Sequence, residues 1–221
     1  MASSTVENYA KEIFLSSQRT GDKVVPMGTV SEALGVSPGT ATAMAKKLES
    51  DGLAVYKPRA GVSLTDKGRD LAVQMVRRHR LVEYFLFEIL KMDWSEIHEE
   101  AESLEHAISD RLLARLDTFL GHPSSDPHGD PIPSADGSFS TPKVIPLGEC
   151  TDGQSVLISR ITDQDSAFLH YVSQNELRPG SEIKVIRHDK AGQSVEVQLG
   201  SGATKTLGGP AADKILVCVQ P

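Results

Sequence analysis

The sequence predicts an α+β chain, helical through its first half and built of short strands toward its end. Three observations carry that prediction. Apolar residues recur at spacings of three and four up to about residue 120, whereas beyond about residue 143 they come in short runs between turn-forming residues. Between these regions Gly121 to Pro142 is rich in Pro, Gly, Ser and Asp, the composition of a linker. The 221 residues are 39% apolar and 24% charged, ordinary for a globular protein and enough for one to two domains with a buried core.

Helices are expected at about 5–19, 28–35, 38–51, 66–90 and 95–120, with one more near 165–175. Strands are expected near 143–148, 155–161, 182–188, 194–199 and 214–219, the turns between them marked by Arg178-Pro179-Gly180, Asp189-Lys190-Ala191-Gly192 and Gly208-Gly209-Pro210. These strands read as a small β-barrel-like module. The N-terminus lacks the basic start and apolar run of a secretory signal, and Leu81 to Leu90 is broken by Glu83 and Glu88, so neither export nor a membrane span is expected. Two cysteines, Cys150 and Cys218, fit a reducing cytoplasm better than a disulfide framework.

Residues 29–48 have the pattern of a helix–turn–helix. A short helix with Val30, Ala33 and Leu34 stops at Gly35, and Val36 fills the angle. Ser37 then caps a second helix with Pro38 at its first position and Ala41, Met44, Ala45 and Leu48 on its inner side. Its other side presents Gly39, Thr40, Ala43, Lys46 and Lys47, small residues where a major groove would be entered and cations where phosphates would pass. Leu53 to Tyr56 and Val62 to Thr65 flank a basic turn with Lys57 and Arg59 at its tip, a wing. Few strong base-reading side chains are present, so affinity is expected mainly from phosphate contacts and dimerisation.

The net charge of −7 hides a gradient: residues 1–80 carry +4, residues 81–150 carry −10 and residues 151–221 carry −1. A basic head and an acidic middle suit phosphate at one end and cations further on. The acidic middle holds His98, Glu102, Glu105 and His106, which would share an arc of about 100° on one face of a continuous helix. His79 and Glu83, four apart on the preceding helix, can point at the same region, and a dication would relieve the repulsion among these carboxylates. The stretch beginning at His98 starts like a zinc-peptidase motif, but position 102 is Glu where the second histidine should be. The nucleophile turn, phosphate loop and dinucleotide fingerprint are also absent. No enzyme is expected.

These segments, with "MVRRHRLVEYFL", "IHEEAESLEHAISDRL" and "DPHGDPIP", closely resemble the DtxR/MntR family, the diphtheria-toxin-repressor-like metal-dependent transcriptional regulators. The resemblance is strong over about residues 5–135, and residues 143–221 are similar to the SH3-like, FeoA-type domain of the longer members. It implies a winged helix–turn–helix domain over 1–72, a helical dimerisation and metal-binding domain with its linker over 73–142, and an SH3-like small β-barrel over 143–221. Glu102, Glu105, His106 and Asn8 stand at the family's primary metal site, with Glu7 or Glu12 as substitutes for the uncharged Asn8. His79, Glu83 and His98 stand at its ancillary site, extended in manganese-type members by a loop that matches Asp126 and His128 and by a C-terminal-domain ligand that matches Asp163, with Asp165 as the alternative register. Where iron-type members carry a cysteine this chain has Glu102, and a hard oxygen donor set favours Mn²⁺ over Fe²⁺. The function so implied is a cytoplasmic, homodimeric repressor of metal-uptake genes that binds a palindromic operator in double-stranded DNA; an Fe²⁺-dependent repressor and, more remotely, a metal-dependent hydrolase are the alternatives. Leu81, Phe85, Ile89, Trp94 and Leu112 are the expected dimer contacts.

Overall fold

The computed structural model describes residues 2–138 and 142–219. Residues 139–141 of the expected linker, and positions 1, 220 and 221 at the ends of the expected domains, lie outside the described residues. The chain divides into two compact units. The first comprises Met1–His79, Leu104–Ser109 and Pro133–Ser138, and the second Arg80–Ser103, Asp110–Ile132 and Phe139–Pro221.

In the first unit, α1 (Ser4–Thr20) starts where the Ser3 hydroxyl accepts the Val6 N–H and ends at Gly21, whose φ of 75° suits a glycine cap. Its Val6, Tyr9 and Ile13 form one core with Val30, Ala41, Ala45, Leu48 and Val62. α2 (Met27–Ala33) and α3 (Pro38–Ser50) supply the helix–turn–helix, the turn passing through Gly35 at φ 62°. Ser37 caps α3, accepting the Thr40 N–H at 3.1 Å. Strands β1 (Ala54–Lys57) and β2 (Gly61–Leu64) pair antiparallel as the wing, and Val62 also bonds Val25. Gly61 is required there, because a Cβ would lie 2.2 Å from the Val25 carbonyl oxygen.

The long helix α4 (Asp66–Glu88) contributes residues to both units. The single helix expected over 95–120 is instead two, α5 (Ile97–Leu104) and α6 (Asp110–Phe119). Ala107 and Ile108 donate back to the Leu104 carbonyl, closing α5, and Ser109-Asp110 is a new helix-start signal. Glu105 and His106 therefore lie in a turn. The shared helical arc proposed for them with His98 and Glu102 does not form.

In the second unit, β3 (Ile145–Pro146), β4 (Ser155–Ile161), β5 (Glu182–Asp189), β6 (Ser194–Leu199), β7 (Thr204–Gly208) and β8 (Ile215–Val219) make one antiparallel sheet ordered β3-β8-β4-β5-β6-β7. Bulges between Ile158 and Arg160 and between Val185 and Arg187 bend it. Alternate residues, among them Val156, Ile158, Val185, Val197 and Val217, are buried. β7 escaped the sequence reading because Leu207 is its one large apolar residue, as suits an edge strand paired only with β6. α7 (Ser166–Gln174) is capped by Asp165, and α8 (Gly209–Ala212) leads into β8. No described helix is long and apolar enough to cross a membrane.

Of the expected dimer contacts, Leu81 and Trp94 are 0% and 4% exposed within the chain itself and so are spoken for by its own core. Ile89 and Leu112, with Leu90 and Phe119, are exposed.

The loop after α6 docks on the sheet through Gly129, where φ is 87° and a Cβ would stand 1.9 Å from the Ser159 carbonyl oxygen. Gly129→Ala should cost about 2 kcal/mol or more in unfolding free energy, read by chemical denaturation. A loss below about 0.5 kcal/mol would show that this close approach is not required.

Candidate metal centre

Helix α1 has two working faces. Val6, Tyr9 and Ile13 enter the core of the DNA-reading unit, while Glu7, Asn8 and Lys11, at spacings of three and four, form a polar stripe. That stripe meets the turn after α5. The Glu7 carboxylate accepts the His106 Nδ1–H at 2.7 Å, and the Lys11 ammonium donates to both oxygens of Glu105 at 2.7 and 2.9 Å. His79 Nδ1–H donates to the same carboxylate at 2.6 Å.

Glu105 is fully buried. Burial alone would raise its carboxyl, but the His79 hydrogen bond and charge, with Lys11 behind them, leave it below the usual carboxylate range. Among the described residues, two buried acceptors of the same unit are left without hydrogen-bond donors. His106 Nε2, its lone pair fixed there once Nδ1–H is given to Glu7, stands 3.5 Å from Glu105 Oε1, and Asn8 Oδ1 is buried with no hydrogen bond. Buried acceptors without donors are what a bound cation would satisfy, so these residues fit a metal ion.

His79 stands with Glu105 in the first unit, while Glu83, His98 and Glu102 belong to the second. Glu83 is buried and accepts from His98 Nδ1 at 3.1 Å. In the same unit Asp126 and His128 are also buried. Asp126 Oδ1 accepts the backbone N–H groups of His128 and Asp130, which folds the loop, while Oδ2 lies 3.6 Å from Arg80 Nε. Burial, then the charges of Asp130 and Glu83, push the Asp126 carboxyl well above its ordinary value against the pull of Arg80. His128 stacks on Trp94 at 5.2 Å between ring centroids, and its carbonyl accepts the Ile161 N–H from β4. Asp163 is engaged elsewhere, with Lys214 Nζ at 2.6 Å and the Asp165 N–H at 3.0 Å, and its neighbour Gln164 reaches Asp130. Glu12, the other substitute considered for Asn8, pairs with Arg19 and Ser16 instead.

On the DNA-reading side Ser37, Gly39, Thr40, Ala43, Lys46, Lys47, Lys57 and Arg59 are all exposed. Lys47 pairs with Asp51 at 3.0 Å, and the Glu49 carboxylate accepts the Tyr56 N–H, tying α3 to the wing. Arg59 sits at φ 67° in the wing turn.

Sequence reasoning missed Lys11 and the roles of Arg80 and Asp130, and it offered Glu7 only as a spare ligand. The stripe at 7, 8 and 11 was the available signal. A lysine beside Ala10 on a helix otherwise reads as solvated, and nothing local announces a partner 94 residues away.

A helix–turn–helix packed on a preceding helix that is tied by its other face to a buried carboxylate–imidazole cluster points to a class: DNA-binding regulators that respond to a cation. Comparison with known proteins agrees. The iron dependent repressor N-terminal DNA binding domain matches residues 1–62, the iron dependent repressor metal binding and dimerisation domain residues 65–134, and the FeoA domain residues 145–219. The iron-dependent repressor IdeR of Mycobacterium leprae is 31% identical over 162 residues, covering 70% of this chain and 69% of that one. The diphtheria toxin repressor of Corynebacterium glutamicum is 30% identical, covering 82% and 83%. Among solved structures, a manganese-dependent transcriptional repressor in complex with manganese superposes with a TM-score of 0.88 at 41% identity, covering 97% of this chain and 100% of that one. ScaR with bound Cd²⁺ gives 0.78 at 31%, covering 97% and 99%. The chain belongs to the iron-dependent, diphtheria-toxin-repressor family of metal-dependent transcriptional repressors, and it is not an enzyme.

Glu7→Gln should weaken Mn²⁺ binding about 10- to 100-fold by calorimetry, because the imidazole loses its orienting anion; unchanged affinity would remove Glu7 from the centre. For Asp126 the raised carboxyl binds its proton more tightly folded than unfolded, so in chelator the wild-type melting temperature should fall as pH rises above the ordinary Asp range. Asp126→Asn should flatten that dependence. A profile identical to wild type would contradict it.

Proposed function

We propose that this chain is a Mn²⁺-responsive homodimeric repressor that binds a palindromic operator in double-stranded DNA and controls metal-uptake genes in the cytoplasm. The observation that carries the reading is the donorless His106 Nε2 at 3.5 Å from the buried Glu105 carboxylate, with a second buried, donorless acceptor, Asn8 Oδ1, in the same unit among the described residues. Asn8, Glu102, Glu105 and His106 would hold the primary ion. His79, Glu83 and His98, with Asp126 and His128, would hold a second, and Asp163 would join only after leaving Lys214. The proposed domains are 1–72, 73–142 and 143–221.

A bound dication supplies concentrated positive charge to carboxylates that otherwise repel one another. The chain's own residues do the rest. Glu7 sets the His106 tautomer, and Glu7 and Lys11 couple α1 to the turn at 105–106. Because Val6, Tyr9 and Ile13 of α1 share a core with α3, the placement of α1 is inherited by Thr40, Ala43, Lys46 and Lys47. Holding α1 in one position therefore holds the DNA-reading helix in one position. That arrangement shifts DNA affinity only through a difference in metal affinity between the competent and incompetent states, tenfold corresponding to about 1.4 kcal/mol.

Oxygen and imidazole donors without a thiolate suit Mn²⁺, and Asn8 and Glu102 are the positions that make the set oxygen-rich. The iron-dependent names among the relatives support Fe²⁺ as the second reading. The test is a mobility shift on a palindromic site selected from random DNA. Binding should fall at least tenfold after exhaustive chelation and return with Mn²⁺ at lower concentration than with anaerobic Fe²⁺. Equal binding in chelator would refute metal dependence, and recovery at lower Fe²⁺ would favour the second reading.

A further inference from the structure

The ammonium of Lys11 already occupies the carboxylate that the proposed ion would need. Its side chain is 8% exposed, Glu105 is 0% exposed, and both carboxylate oxygens are engaged by one Nζ. On the remaining sides Oε2 holds His79, and Oε1 faces His106 Nε2 at 3.5 Å. Glu105 is thus shared between a tethered cation and the imidazoles of His79 and His106.

We infer that Lys11 is a built-in counter-ion that keeps Glu105 ordered in the absence of metal and, by competing for the same carboxylate, sets the centre's affinity for a dication. The inference rests on the metal-centre reading above and concerns its regulation. The physical reasoning has two parts. A buried carboxylate stripped of the ammonium that engages both its oxygens is costly, so Lys11 stabilises the metal-free fold. A dication drawn to Glu105 must meet that ammonium where charge is poorly screened, so the same lysine opposes binding. Together these place the binding threshold above what the donor set alone would give, as a responsive regulator needs if its centre is to empty when the metal becomes scarce.

The experiment uses the full chain as wild type, Lys11→Gln and Lys11→Arg. Each is freed of metal, melted with and without saturating Mn²⁺, and titrated with Mn²⁺ by calorimetry. Lys11→Gln should bind Mn²⁺ about tenfold more tightly than wild type, melt lower without metal, and gain more from Mn²⁺. Lys11→Arg, keeping the charge, should stay near wild type in all three. A Lys11→Gln protein that folds only with Mn²⁺ supports the inference, since the ion replaces the ammonium. One that folds under neither condition, or that folds and binds no more tightly than wild type, overturns it. A wild-type chain that takes up no Mn²⁺ would instead overturn the metal-centre reading, an outcome distinct from equal affinities in wild type and variant.

Discussion

A carboxylate removed from water must be given positive charge, and in this protein that requirement falls on Glu105. Isolated, it would cost several kcal/mol; with Lys11 and His79 against it the site is tolerated and the carboxyl stays ionised. Its partners come from three segments distant in sequence, α1, α4 and the turn after α5, so satisfying one charge fixes three elements of the first unit. The break between α5 and α6 is part of the same solution. It releases Glu105 and His106 from helical register and lets them be drawn toward α1.

The consequence for function runs through α1. A helix with an apolar stripe in the DNA-reading core and a polar stripe on the carboxylate cluster transmits displacement without any moving part between them. Cores packed to native density do not absorb shifts gradually, so a small change at Glu7, Asn8 or Lys11 is passed to α3. The second unit answers a similar constraint differently. Buried Asp126 faces Glu83 and Asp130 with one nearby arginine, Arg80, and the loop carrying it is locked to β4 by Gly129 and His128.

Much of this was legible in the sequence because the signals are local. Ser37-Pro38 and Gly35 mark the helix–turn–helix, and Ala41, Ala45 and Leu48 mark its inner face, with boundaries within about a turn of those observed. Glu83 and His98, both put forward from the sequence as ligands, are joined by a hydrogen bond within the second unit. What escaped was set by long-range contact. Lys11 is ordinary until Glu105 lies against it, the two-helix break yields to Ser109-Asp110 only when the demands on Glu105 are known, and Leu81 and Trp94 were read as interface because nothing in their spacing distinguishes a partner's surface from the chain's own interior.

The central claim is that the acceptors around Glu105 form a cation centre. Anomalous diffraction at the Mn edge, on crystals grown in excess manganous salt, tests it most directly. A peak within bonding distance of Asn8 Oδ1, His106 Nε2 and a Glu105 oxygen is the expected result. No peak there, with Lys11 still seated on both oxygens of Glu105, would contradict the account.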